Sequence, residues 1–371
     1  MDERVREHAA VLVEWSARVD PGDDVVVDVA EGAHELAVAV AERLGEIGAN
    51  VVTTYGSGEV SRAYLRSGDG EFDAGDHELA LFENADVYLR LGGGRNTAAT
   101  ADVERDTRRA YSIARREIRE ARLDTDWVST VHPTRSLAQQ AGMAYEEYQS
   151  FVYDAVLRDW ESLAETMAEL KAILDAGSEV RIVTDRPEGP KTDVRMSIEG
   201  RTAVNSAASV AYDSHNLPSG EVFTAPYDAE GQAFFDVPMT IDGRRVRDVR
   251  LAFEDGEVVD FEAGEGEDVL EGVLDTDAGA RRLGELGIGM NRGIDRATDN
   301  ILFDEKMGDT VHLALGRAYD ANLPDGESGN DSAVHVDLIA DVSEESFIEL
   351  DGEVIQRNGV FRFEDGFDAE P

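Results

Sequence analysis

The 371-residue chain has no cysteine and only three lysines, Lys171, Lys191 and Lys306. Without cysteine there is no disulfide, no thiolate ligand for a metal and no cysteine nucleophile. Lysine scarcity leaves arginine as most of the basic complement, and Lys plus Arg total 35 against 79 Asp plus Glu, a formal net charge of −44. No basic stripe is available to neutralise phosphates, which argues against nucleic acid as a partner. Long apolar runs are also missing. No stretch approaches the roughly 18 apolar residues of a membrane span, and MDERVREHAA is charged from its second residue, so a cytoplasmic protein without membrane attachment is expected. Acidity of this order could mark disorder, but hydrophobic residues make up 42% of the chain and recur with clear periodicity, as in folded domains. The charge therefore belongs to the surface. Spread along the whole chain, it reads as adaptation to high salt, where repulsion between acidic groups is screened over short distances.

The length favours about two domains. An amphipathic helix over 3 to 18 precedes the buried-type strand VVVDVA (25 to 30), a helical repeat over 33 to 48 and the strand NVVTTYG. Strand, helix, strand in this order predicts a parallel sheet. ADVYLRLGGG (85 to 94) is a third strand, followed by a long charged helix through about 122, and WVSTVHPT (127 to 134) is a fourth; helices over 143 to 158 and 160 to 176 close this half. From about 178 the pattern changes to short strands between Gly, Asp and Pro turns, with a strong hairpin signal at Asp255-Gly256, a helical interlude over 266 to 284 and a last hairpin in GEVIQRNGVF. The expected architecture is an α/β N-terminal domain with a parallel sheet (1 to 177) and a strand-rich α+β C-terminal domain (178 to 371) that carries the functional residues.

Three cassettes in the second half hold the chemistry: RRLGELGIGMN (281 to 291), ILFDEKMGDTVHLALG (301 to 316) and SAVHVDLI (332 to 339). His, Glu and Asp brought together without Cys suit a catalytic Zn, Co, Mn or Mg centre better than a closed structural site. In a strand, His335 and Asp337 share one face while Val336 takes the other. His312 lies in another β-like run, and Glu285 interrupts an apolar stretch after the helix-like segment. Glu221 opens a strand just beyond the rigid Pro218-Ser219-Gly220 turn in NLPSGEVFTAP, a setting that can lock a ligand rotamer. Each has a blander reading: a strand H-x-D can be a core hydrogen-bonded pair, a lone histidine is often a satisfied core residue, and Glu305 beside Lys306 can be a surface ion pair worth little. The glycines at 92 to 94 invite a phosphate-binding reading, but LGGGRN lacks the G-x-G-x-x-G order.

NLPSGEVFTAP, GELGIGMN, FDEKMGDTVHLALG and the H-x-D of HVDLI resemble, in order and spacing, the motifs of the M29 metallopeptidases, the thermophilic aminopeptidase family. The resemblance runs from PGDDVVV to GEVIQRNGVF. It implies a metal-dependent exopeptidase that removes N-terminal amino acids from peptides, holds two divalent ions in its second domain and forms a homodimer. Carried over by motif, the metal ligands fall on Glu221, Glu285, His312, His335 and Asp337, with Glu285 the candidate bridge. Glu305 is the candidate general base or an added ligand, and Tyr319, seven residues after His312, the candidate donor to the oxyanion. The chain departs from the family at Val336, where tryptophan is common, at Asp309, where a second glycine is common, and in the acidic DGESGNDS, where a basic residue is commonly seen. Two alternatives belong to other classes: a nucleotide-dependent transferase or oxidoreductase built on the first domain, and a non-enzymatic acidic metal-binding protein.

Overall fold

The computed structural model describes residues 1–68, 70–185, 190–241 and 243–369. Two compact units emerge, Met1–Arg158 with Ala208–Pro218, and Asp159–Ala207 with Ser219–Pro371. This differs from a single boundary at 177. The helix Trp160–Asp175 gathers with the second unit, where Asn205 Nδ2 donates to the Ala164 carbonyl at 2.9 Å. The chain then returns briefly to the first unit, because Asn216–Leu217 pairs with the strand Asp126–Val131, a non-local partner invisible in local pattern.

In the first unit the β-branched run in Asp24–Ala30 forms a central strand, since such side chains fit a pleated surface covered on both faces. It pairs in parallel with Asn50–Gly56 on one side and Val87–Gly92 on the other, and Asp126–Val131 follows. The helix His34–Ile47 provides the expected crossover and stops at Gly48, whose φ of 90° only glycine adopts cheaply. The opening helix runs from Glu3 to Ala10 and continues as a π-helical stretch through Ser16. The long charged helix expected to end near 122 is instead two shorter ones, Arg105–Ala114 and Arg116–Leu123. At the break Arg115 pairs with Glu78 and lies over the Tyr111 ring, a tertiary tie that outweighs helical propensity. Since no helix starts between the glycines and Arg105, the glycine turn has no helix N-terminus to aim at a phosphate; the Gly94 carbonyl accepts from Thr134 Oγ1 and Ser136 Oγ instead.

The second unit contains two sheets among its described residues. One is antiparallel and built from Glu179–Thr184, Thr192–Ser197, Tyr227–Phe235, Met239–Ile241, Arg244–Glu254, Glu257–Glu265, Ser346–Leu350, Glu353–Arg357 and Val360–Phe361. The Asp255-Gly256 turn closes its longest hairpin with φ of 51° and 76°, and Asn358-Gly359 closes the last with 48° and 79°. Positive φ at both central residues makes the turn twist with its strands. Phe235, Leu251 and Phe253 are buried on this sheet, each contributing about 1.5–3 kcal/mol. The other sheet has the order His335–Asp341, Thr310–Gly316, Leu283–Gly289, Glu221–Thr224, Val204–Ser206, all antiparallel. The helical interlude expected over 266 to 284 ends earlier, at Leu274, and strand pairing claims the chain from Leu283. Glu285 consequently sits inside a strand.

Candidate metal centre

The register of this second sheet decides which side chains meet. Gly287 lies between Phe223 and His312, Gly289 pairs with Glu221, and Ala314 lies between Glu285 and Asp337, while Gly316 pairs with His335. Because side chains alternate with period 2, Glu221, Glu285, His312, His335 and Asp337 all rise from one face. The positions between them carry no side chain or a methyl group. Small residues leave the room that these side chains occupy: a Cβ at Gly287 would lie 2.0 Å from His312 Cε1. Val336 points to the opposite face, away from the Glu, Asp and His side chains.

Glu221, Glu285 and His312 can each offer one donor atom within 4.8 Å of the others, and so can Glu285, His335 and Asp337. Glu285 is common to both groups. His312 Nε2 donates to Glu285 Oε1 at 2.9 Å and lies 3.6 Å from Glu221 Oε2. His335 Nδ1 donates to the Arg317 carbonyl at 2.8 Å, which leaves Nε2 facing Asp337 Oδ1 at 3.5 Å and Glu285 Oε2 at 3.7 Å. In its neutral form this imidazole would carry its lone pair on Nε2, towards the centre, the arrangement a metal-bound imidazole requires.

The electrostatics follow from burial. Among the described residues the buried Asp, Glu, Lys and Arg are Glu221, Glu285, Asp304, Lys306 and Asp337, although the chain has 79 carboxylates. Burial raises the Glu221 carboxyl above its usual range despite Lys306 and His312 nearby. Burial also opposes the charge on His335, but the carboxylates of Asp337, 3.5 Å away, and of Glu285 outweigh it and push the imidazole up to about 9. His312 moves up for the same reason, through Glu285 and Glu221. Asp337, whose burial would raise it, is held low by the imidazoles of His335 and His312.

This donor set fits a divalent cation. Glu221 Oε2 and Asp337 Oδ1 are buried without a hydrogen bond, a costly state for carboxylate oxygens unless a cation meets them. Oxygen and imidazole donors without sulfur suit Zn, Co, Mn and Mg.

The two other residues singled out from sequence lie beside this cluster. Tyr319 follows the His312 strand, with its ring 4.9 Å from His335 and edge-on to Phe223 at 6.0 Å. It is 45% exposed, and the desolvation of its hydroxyl together with Glu285, Asp337 and Glu221 pushes the phenol above its usual range. Glu305 follows the short helix Ile301–Asp304 and belongs to neither ligand group. Its ion pair with Lys306 is not the surface contact its sequence suggests, because Lys306 is 0% exposed and also reaches Glu221 Oε1 at 3.4 Å. Sequence reasoning missed Lys306, and it missed Asp304, whose carboxylate accepts from Thr298 N and Oγ1 at 2.8 and 2.7 Å and fixes the segment leading to Glu305. The frame expected around Glu221 is present: Ser219 Oγ meets Ser206 Oγ at 2.6 Å, and Asn291 Nδ2 donates to the Ser219 carbonyl at 2.9 Å. Asp309 occupies a left-handed position, φ 60°, that glycine fills easily, and Arg292 holds its carboxylate at 3.0 Å.

The thermophilic metalloprotease family M29 matches residues 1–361. This chain belongs to that family. Aminopeptidase T of Thermus thermophilus is 28% identical to this M29 metalloprotease over 93% of each chain. Aminopeptidase 2 of Geobacillus stearothermophilus is 33% identical over 57% of this chain and 56% of its own. The solved structure of wild-type AmpT from Thermus thermophilus superposes with a TM-score of 0.84 at 25% identity, covering 97% of this chain and 99% of that one. The expected fold, α/β with a parallel sheet followed by a strand-rich region, agrees with this match. Membership makes the protein a metal-dependent hydrolase of peptide bonds. Among the described residues no helix is long and apolar enough to cross a membrane.

Proposed function

We propose that this metallo-aminopeptidase removes N-terminal residues from peptides with the help of two divalent ions. Glu221, Glu285 and His312 would hold one, and Glu285, His335 and Asp337 the other. The observation that carries the reading is the pair of three-residue groups sharing Glu285, since a carboxylate can give one oxygen to each of two ions. When bound, such ions polarise the scissile carbonyl and acidify a water. Glu305 stands outside both groups with 18% of its side chain exposed; it takes the proton of the attacking water and passes it to the leaving amine. Tyr319 donates a hydrogen bond from its hydroxyl to the tetrahedral oxyanion, and a phenol held above its usual range keeps its proton at neutral pH. The buried carboxylates favour a free amine over a blocked one at the end of the substrate.

A panel of aminoacyl amides, each free and N-acetylated, tests this with the metal-restored protein at molar salt. Free amines are expected to be cleaved and acetylated ones spared; comparable rates on both would refute the exopeptidase assignment. Glu305→Gln is expected to keep its metal and lose most of kcat. The setting we propose is a cytoplasmic homodimer working at high salt; the acidic, lysine-poor composition supports the salt dependence and the family resemblance supports the dimer.

A further inference from the structure

Of the three lysines, Lys171 and Lys191 keep 33% and 57% of their side chains exposed, and Lys306 keeps none. Among the described residues the one buried lysine or arginine of this acidic chain thus stands beside the metal centre. Its ammonium divides the Glu221 carboxylate. Oε1 lies 3.4 Å from Lys306 Nζ, an ion-pair contact outside hydrogen-bond geometry, and Oε2, also without a hydrogen bond, faces His312 Nε2 at 3.6 Å. The same ammonium contacts Glu305 Oε1. A lysine offers a compact charge with rotatable donors on a slender stem, and so can reach two carboxylates from a closed interior where a planar guanidinium would need more room.

We infer that Lys306 is a positioning residue for the metal centre: it occupies Glu221 Oε1 so that Glu221 presents the single oxygen Oε2 as ligand, and it holds Glu305 away from coordination. The inference rests on the metal-centre reading above. It also has a sign that opposes simple electrostatics. A fixed ammonium repels a nearby cation, so if Lys306 acted only through its charge, its removal would tighten metal binding. If it positions Glu221, removal loosens binding, because the freed carboxylate turns or chelates through both oxygens.

Cobalt(II) binding to the metal-stripped full chain decides between these, since affinity comes from titration and the visible spectrum reports coordination. Lys306→Met removes charge and donors at similar length, and Lys306→Gln removes the charge but keeps a donor for Oε1. Lys306→Met is expected to bind Co²⁺ about 10- to 100-fold more weakly, the usual cost of losing a partner that orients a ligand, with an altered spectrum. Lys306→Gln is expected to fall between the two, still weaker than the unaltered protein and with a smaller spectral change, and serves as the probe should the Met variant not fold. Binding by either variant that is as tight as or tighter than that of the unaltered protein, with the same spectrum, overturns the inference. His335→Ala separates the two levels: if it too binds Co²⁺ normally, the metal-centre reading falls and this inference with it, whereas loss in His335→Ala alone overturns the positioning role only.

Discussion

Gly287→Ala adds one methyl group and is expected to disable the centre. Its Cβ would lie 2.0 Å from His312 Cε1, 2.1 Å from Nε2 and 2.8 Å from Nδ1. Non-bonded carbons are comfortable at about 3.5–4.0 Å, so the imidazole would have to retreat by about 1.5 Å. His312 is fully buried and cannot retreat without disturbing its neighbours, and overpacking of this kind costs about 1–3 kcal/mol. Nε2 would leave its 2.9 Å contact with Glu285 and its place beside Glu221. A misplacement of about 1 Å at a reacting centre costs about 100-fold in rate. The assay is kcat/KM on an aminoacyl p-nitroanilide with metal added back, next to metal content by elemental analysis and a thermal melt. Gly272→Ala is the control: it lies in the helix Glu267–Leu274, a Cβ there meets nothing within 4 Å, and the change should stabilise by up to about 1 kcal/mol. Wild-type metal content together with kcat/KM within about threefold of wild type in Gly287→Ala would refute the reasoning, since a displacement of that size cannot leave a ligand in place.

Asp337→Asn should reduce bound metal and abolish turnover while the fold persists, because apolar burial supplies most of the stability; metal content and circular dichroism check this. Stability should also fall in acid through His8, far in sequence from the ligands. Burial depresses His8 from 6.5 to about 3 while its Nε2 meets Thr130 Oγ1 at 2.8 Å. A base depressed in the fold gives its full stability above the unfolded value and loses it as pH falls from 6.5 towards 3, at up to about 1.4 kcal/mol per pH unit. His8→Gln should therefore lose about 2 kcal/mol less than the parent between pH 6.5 and 4.5 in urea titrations; parallel curves would count against it. Finally, 79 acidic side chains repel over a Debye length of about 30 Å at 0.01 M salt, so the melting temperature should rise from dilute buffer to molar KCl, and an unchanged value would contradict the surface-repulsion argument.

Local pattern was enough for much of this protein. Period-2 spacing placed His335 and Asp337 on one strand face, the βαβ order implied the parallel sheet, and Asp-Gly and Asn-Gly marked hairpins, because each depends on residues near one another in sequence. The motif resemblance carried Glu221, Glu285 and His312 to the strands where they stand together. Where distant pairing competes with local propensity, pattern fails: the helical interlude expected to reach 284 ends at Leu274, and the strands of Glu221 and His312 take up Leu283–Gly289. The break at Arg115 and the return of Asn216–Leu217 to the first sheet have the same origin.

The sequence by itself determined the composition of the centre, acidic and imidazole donors without sulfur, and the faces from which its strand residues project. Only the tertiary structure decided that Glu285 is shared between two donor groups, that Gly287 is empty space for His312, and that Lys306 is interior. Burial and cross-strand distance are set by which segments lie opposite one another. A lysine between two acids and a methionine reads the same on a surface turn and inside a metal centre until those segments are in place.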